Sequence, residues 1–414
     1  VIVKGGIHMN KKLLFAAAIS VMTAAVPVMA EETYDISLYT VNSTDPDFEG
    51  WLAAAEEATG LHINVIAAPT DSDTRQQKIT TILSTGDSSV DILEINDEMS
   101  TAFKNTGWLE GLNDTVMTED IRGNFAAGYM ADMITSADGQ IIGVPGYCGY
   151  LSFWVNQEVL DECGIESIAT IEEFKEFLAA ASEKEGRFAY GGSWEKTYVF
   201  NEIAQWVNVF GGDYYDWTNE NNKAALEFFK EMVDNGWTTL DQLADKYEQM
   251  NQKFLDGDYA CVMYWGTGGE YADAGMKGDD KIHMQDYPTV GDNNKTIFTD
   301  SWSYVLNSAS ENKDAAYKFL SWAASTEGYK AGWEAFDRYP ARADSAAEIV
   351  PEDNVTKAMY TNYAENYDVH GRPMLPQTME FISEMGTLFQ QYVQGEITVD
   401  EFCEQAQIAV EENQ

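Results

Sequence analysis

Basic residues are scarce in this sequence. Lys and Arg number 25 against 69 Asp and Glu, a formal net charge of −44. Basic surface supplies most of the affinity for a phosphate backbone, so this balance excludes nucleic acid as the main partner. The acids are spread along the chain, and 45% of its residues are hydrophobic. Such a composition describes a folded chain with a mutually repelling surface, not a disordered one. Cysteine is nearly absent as well. Cys148, Cys163, Cys261 and Cys403 show no metal-ligand spacing, and four thiols in 414 residues do not make a disulfide framework. A Cys148 to Cys163 bridge stays open beside the simpler reading of buried free thiols. Beyond the first thirty residues no apolar run is long enough to span a bilayer. No internal repeat, low-complexity tract or long linker is present either.

The tools of a secreted enzyme are missing too. The sequence holds no Gly-x-Ser-x-Gly elbow, no His-Glu-x-x-His and no phosphate-cradling glycine loop. His62, His283 and His370 stand far apart, and His62 alternates with apolar neighbours as a strand residue does. A carboxylate pair for glycoside hydrolysis stays open, because 69 acids always offer candidates and sequence does not give their separation. Asp45-Pro46-Asp47-Phe48-Glu49-Gly50, with Glu56 beyond, imitates a calcium loop. A helix start explains it better, with Asp45 as the cap, Pro46 in the first position and Asp47 and Glu49 at the positive end.

What is present begins with a leader. Residues 1–8 read as translated upstream sequence ahead of Met9. Lys11 and Lys12 form a basic region, Leu13 to Ala25 an apolar one, and Val28-Met29-Ala30 ends in the small residue that signal peptidase needs. Residues 9–30 are therefore expected to be a signal peptide cleaved after Ala30. Beyond it, Ile36 and Leu38 alternate as a strand and Phe48 to Ala58 reads as a helix closed by Gly60. Leu61, Ile63 and Val65 alternate again, a helix Gln76 to Leu83 stops at Gly86, and Val90 to Ile95 is a strand. This β-α-β-α-β order is that of a parallel sheet flanked by helices, where ligands sit beyond the carboxyl ends of the strands. Those ends carry Asn42 and Thr44 in one case and Asp97 and Glu98 in the other.

Farther along, Thr170 and Glu173 form a capping box ahead of Phe174, Phe177 and Leu178. Ala224 to Val233 is a second amphipathic helix, and Ala260 to Trp265 a strand that follows a turn at Gly257. Thr296 to Asn307 reads as extended, Lys313 to Ala324 as a helix, and the last helix is capped by Thr398 and Glu401.

Between these halves Pro145 and Gly146 interrupt a strand, Tyr147 and Tyr150 offer aromatic faces, and the apolar run Leu151 to Val155 restarts a buried strand. Ser152, Phe153, Trp154, Val155, Asn156 and Leu160 resemble the signature of the carbohydrate-type (family 1) extracellular solute-binding proteins of ABC importers. That signature is a small residue, two large apolar residues, Tyr, Asn and a further apolar residue four on; Val155 stands here in the place of the Tyr. The resemblance covers roughly residues 34 to 412. It implies an α/β, maltose-binding-protein-like fold of type II, two lobes that are each a sheet flanked by helices. Residues 31–145 would form the N-terminal lobe and 146–295 the C-terminal lobe. Residues 296–340 would return to the first lobe, and 341–414 would supply helices to the second. A chain that crosses three times, near Tyr147, Thr296 and Arg342, moves as a hinge.

The function implied is a binding protein, not an enzyme, that captures a sugar or oligosaccharide and delivers it to the membrane permease subunits of an ABC transporter. It would be a monomer without cofactor or metal, exported to a periplasm or to the cell surface. No cysteine stands directly after Ala30 to carry a lipid anchor. A secreted carbohydrate-active enzyme and a receptor for a polyamine or other cation are the alternatives. Sugars offer apolar C–H faces and a ring of hydroxyls, so aromatic platforms beside carboxylates and amides are the residues to seek. Trp51, Trp206 and Trp322 fall inside helices, and Trp108 and Trp237 follow glycine turns as core plugs would. Trp194, Trp265, Trp302 and Trp333 instead lie at strand ends or turns. With Tyr147, Tyr150, Tyr198, Asn42, Thr44, Asp97, Glu98 and Arg338 they form the expected ligand-binding set. Helix N-capping is the other reading for Asp97 and Glu98.

Overall fold

The structure is a computed structural model that describes residues 34–292 and 295–413. The upstream segment, the leader and its cleavage point lie outside the described residues. Among the described residues no helix is long and apolar enough to cross a membrane, and two sheets form.

The first sheet is built from β1 (Ile36–Thr40), β2 (Ile63–Ala67), β3 (Ile92–Ile95) and β4 (Gly143–Pro145), completed by a strand from far downstream. Two helices provide its crossovers. The first, α1 (Phe48–Thr59), buries Phe48, Trp51 and Ala55 on one stripe and stops at Gly60, whose φ of 68° is the left-handed cap a glycine accepts most readily. Its N-cap is Asp47, not Asp45: the chain makes a short 3-10 turn over Asn42–Thr44 first, and Asp45 Oδ1 accepts from the Asp47 amide at 3.1 Å. The second, α2 (Ser72–Thr85), starts earlier than its apolar pattern, because the Asp71 side chain caps it by accepting from the Thr74 amide.

The second sheet is centred on β5 (Gly149–Asn156), all eight residues of which are buried. Around it run β6 (Phe188–Gly191), β7 (Tyr259–Trp265), β8 (Ile282–Gln285), β9 (Thr296–Asp300) and, after β10 (Ser303–Leu306), the edge strand β11 (Asp368–Gly371). The order is β11-β9-β5-β7-β6, with β8 paired to β5 beside β9. A strand buried on both faces is apolar throughout, as Leu151, Phe153, Trp154 and Val155 are. Capping boxes at Thr170 and Thr398 start the helices Ile171–Ala181 and Val399–Glu412, each satisfying backbone donors worth about 1 kcal/mol.

The strand β10 belongs to the first sheet, lying antiparallel between β3 and β4. The second crossing therefore falls at Ser301-Trp302 and not near Thr296. Thr296 to Asn307 is two strands, because Ile297 and Phe298 are buried in the second lobe's core while Val305 and Leu306 are buried in the first. The chain first passes from one sheet to the other at Gly146-Tyr147-Cys148, and the segments at Ser301-Trp302 and Tyr339 run beside it. The Gly146 amide donates to Trp302 O at 2.8 Å, the Tyr147 amide to Ser301 Oγ at 3.3 Å, and the Cys148 amide to Tyr339 O at 2.8 Å. All four cysteines are free, and only Cys261 is fully buried.

Candidate functional site

β1 and β3 end side by side, and the residues just beyond them face the crossing segments. Glu94, the third residue of β3, is 1% exposed and collects the first group of contacts. It accepts from Thr40 Oγ1 and from Asn42 Nδ2 at 2.7 and 2.8 Å, and from Arg338 Nη1 at 3.0 Å. Arg338 closes the ring by donating to Asn42 Oδ1 at 3.0 Å, and its guanidinium lies 5.1 Å from the centres of both the Tyr147 and Phe336 rings. Tyr147 in turn donates to Asp300 Oδ2 at 3.1 Å.

The second group starts at the helix α3 (Asp97–Phe103). Asn96 is its N-cap, accepting from the Met99 amide, so the carboxylates of Asp97 and Glu98 are not spent on capping. Tyr129 Oη donates to Asp97 at 2.7 Å, and Arg372, just past β11, reaches Asp97 Oδ2 at 3.4 Å and both Glu98 oxygens at 2.9 Å. The Arg372 guanidinium lies over Trp265 at 5.6 Å and Phe200 at 5.9 Å. Trp265 Nε1 donates to Tyr247 Oη at 2.9 Å, and the Tyr247 ring meets Tyr198 edge-on at 4.9 Å. Beside this, Arg75 lies 4.7 Å over the Trp302 ring while donating to the carbonyls of Pro69 and Thr70 at 2.9 Å.

Burial pushes the carboxyls of Asp97 and Asp300 up from the ordinary carboxylate range, against the pull of Arg372. The acids Glu94, Asp97, Glu98 and Asp300 face the cations Arg75, Arg338 and Arg372, so the formal charges nearly cancel. In a chain of net charge −44 the cluster is thus close to neutral. It also keeps unused hydrogen-bonding capacity. Arg75 Nε and Asp300 Oδ1 are buried and find no partner among the described residues.

Of the residues expected from sequence, Asn42, Asp97, Glu98, Tyr147, Tyr198, Trp265, Trp302 and Arg338 converge on this cluster. Thr44 is exposed on the 3-10 turn next to it. Trp194 is elsewhere: fully buried, it packs edge-on against Phe229 and Phe389 at 5.8 and 5.1 Å and donates from Nε1 to the buried Glu202. Tyr150 is a core residue as well, 4% exposed and edge-on to Tyr360 at 4.7 Å. It lines a cavity of about 650 Å³ shared with Phe125, Gly128 and Tyr339, whose walls include none of the charged cluster. Trp333 packs partly buried at right angles to Tyr339. Glu94, Arg75, Phe200, Tyr247, Asp300 and Arg372 escaped the sequence reading. Two of them carried a signal: basic residues are scarce and Arg372 stands between Gly371 and Pro373 at a strand end, while Asp300 heads a crossing.

A model of the family described as bacterial extracellular solute-binding protein matches residues 50–361. Over 231 residues the chain is 26% identical to the maltotriose-binding protein of Pyrococcus abyssi, a match covering 53% of this chain and 47% of that protein. The chain thus spans about half the length of this curated relative. Among solved structures it resembles the maltose-bound MalE3 protein of T. maritima, with a TM-score of 0.73 and 16% identity over 91% of this chain and 98% of that one. It also resembles an ABC transporter solute-binding protein from Thermotoga lettingae bound with α-D-tagatose, with a TM-score of 0.77 and 17% identity over 91% and 98%. The two-lobed binding-protein fold is common to all three chains.

Proposed function

Because the chain belongs to the bacterial extracellular solute-binding protein family, we propose that it is the sugar receptor of an ABC importer, exported from the cell. It would take an oligosaccharide or related polyol between its two lobes and present it to a membrane permease. The observation that carries this reading is the near-neutral cluster of carboxylates and guanidiniums that faces the half-buried rings of Trp265, Trp302 and Tyr147. An uncharged, hydroxyl-rich ligand suits it. Its C–H faces pack on the rings, and its hydroxyls can both donate to carboxylates and accept from guanidiniums. A polyamine suits it less, since Arg338 and Arg372 already occupy the carboxylates a cation would need. The relatives reported above point the same way, being proteins whose names or bound ligands are maltotriose, maltose and tagatose.

The test is a thermal-shift screen against maltose, longer maltodextrins, monosaccharides, polyols and polyamines. A ligand that binds only the folded protein raises stability by RT ln(1 + [L]/Kd), about 2.7 kcal/mol at a hundredfold excess over Kd. The expected result is a concentration-dependent rise with one sugar group, with that sugar recovered intact afterwards. A shift with polyamines alone, or steady release of shorter sugars, would replace this reading.

A further inference from the structure

We infer that Arg372 is an interlobe latch, a side chain of the second lobe that grips Glu98 and Asp97 of the first and so holds the lobes together through protein groups alone. The inference rests on the two-lobed, hinged reading above but not on the identity of the ligand.

The geometry shows a group prepared on one lobe for a partner on the other. Arg372 leaves β11, whose parallel pairing with β9 sets Gly371 opposite Thr299. The Gly371 amide donates to Asp132 Oδ2 of the first lobe at 3.1 Å, and a Cβ at Gly371 would stand 2.6 Å from Met133 Cγ, so a larger residue there would have to push the Met133 side chain aside. The guanidinium lies over the rings of Trp265 at 5.6 Å and Phe200 at 5.9 Å, both of its own lobe. It then presents a two-toothed fork to Glu98, with both bonds at 2.9 Å. Glu98 itself is tied across the same junction, because its backbone carbonyl accepts from Thr378 Oγ1 at 3.3 Å. The Arg372 side chain is 9% exposed and that of Glu98 15%, so salt screens the pair little.

A pair of this kind biases a hinge without freezing it. Opening returns both charges to water, so the gain from closing is the difference between two large terms, and couplings of about 5- to 150-fold are usual. The latch would therefore set what fraction of the protein is closed before ligand arrives, and the apparent affinity scales with that fraction.

The experiment compares the radius of gyration by X-ray scattering, without added sugar, for the parent chain and for Arg372→Met, Glu98→Gln and the double variant, each checked by its thermal melt. The latch predicts that either single change expands the particle and that the double expands it no further than Arg372→Met, which already removes the bonds to both Glu98 and Asp97. Glu98→Gln keeps the side chain's shape and serves if Arg372→Met does not fold. With the sugar found in the screen, each single variant should bind about tenfold more weakly. Unchanged radii, or expansions that add in the double variant, would overturn the latch. A screen in which no sugar binds would sink the proposed function and leave this comparison intact.

Discussion

At the scale of single residues, aromatic side chains of the same type divide into two kinds by what their edges and faces meet. Trp194 has no exposed surface and its ring is enclosed by other rings, so its indole is a structural unit of the second lobe. Trp265 is half-buried, with one ring face under a guanidinium at 5.6 Å and its N–H on a tyrosine. Replacing each by Ala separates the two roles. Trp194→Ala should cost about 3–5 kcal/mol of folding stability, the usual penalty for emptying a buried aromatic site. Trp265→Ala should cost about 1–3 kcal/mol of sugar binding, a tenfold to hundredfold rise in Kd, with a smaller loss of stability. Denaturant melts and calorimetric titrations of both variants measure the difference. Equal stability losses with unchanged affinity would place Trp265 in the core with Trp194.

At the scale of elements, the crossings determine which positions tolerate change. Gly149 opens β5 where it pairs with β9, and a Cβ there would lie 2.3 Å from Asp300 Oδ1. Gly149→Ala should therefore displace the carboxylate that holds Tyr147, costing about 1–3 kcal/mol of stability by overpacking and weakening sugar binding with it. Gly50, inside α1 with no described residue's atom within 4 Å of its would-be Cβ, is the contrast. Gly50→Ala should stabilise by up to about 1 kcal/mol, because alanine restricts the unfolded chain and favours helix. Opposite shifts of the denaturation midpoint check the pair. The elements were legible where local chemistry decides them: the glycine stop of α1, the two capping boxes, the buried run of β5. The place of β9 was not, because Ile297-Phe298 and Val305-Leu306 read alike in sequence and only their pairing partners assign them to different lobes. The cluster was half legible for the same reason. Asp97, Glu98, Tyr147 and Trp265 lie at strand ends that a pattern reveals, whereas Glu94 sits inside a strand and Arg372 reaches its partners across 274 and 275 positions of sequence.

At the scale of the whole molecule, the two lobes are interleaved in sequence, and neither is a contiguous piece of chain. A chain ending after residue 300 should lack cooperative unfolding and near-ultraviolet dichroism in both lobes, since it loses β10 from the middle of one sheet and β11 and the last helices from the other. A sharp melt from that fragment would show that the N-terminal lobe closes its sheet some other way. The same insertion of β10 between β3 and β4 also has a meaning in time. At synthesis rates of about 5–20 residues per second, roughly ten to thirty seconds separate the making of β4 from that of β10. Throughout that interval the facing edges of Ile92–Ile95 and Gly143–Pro145 have no strand to pair with. Open apolar edges of this kind recruit other chains. A nascent copy is therefore at its most vulnerable when it is nearly three-quarters made, and anything that keeps it extended until residue 306 has emerged protects it from its neighbours.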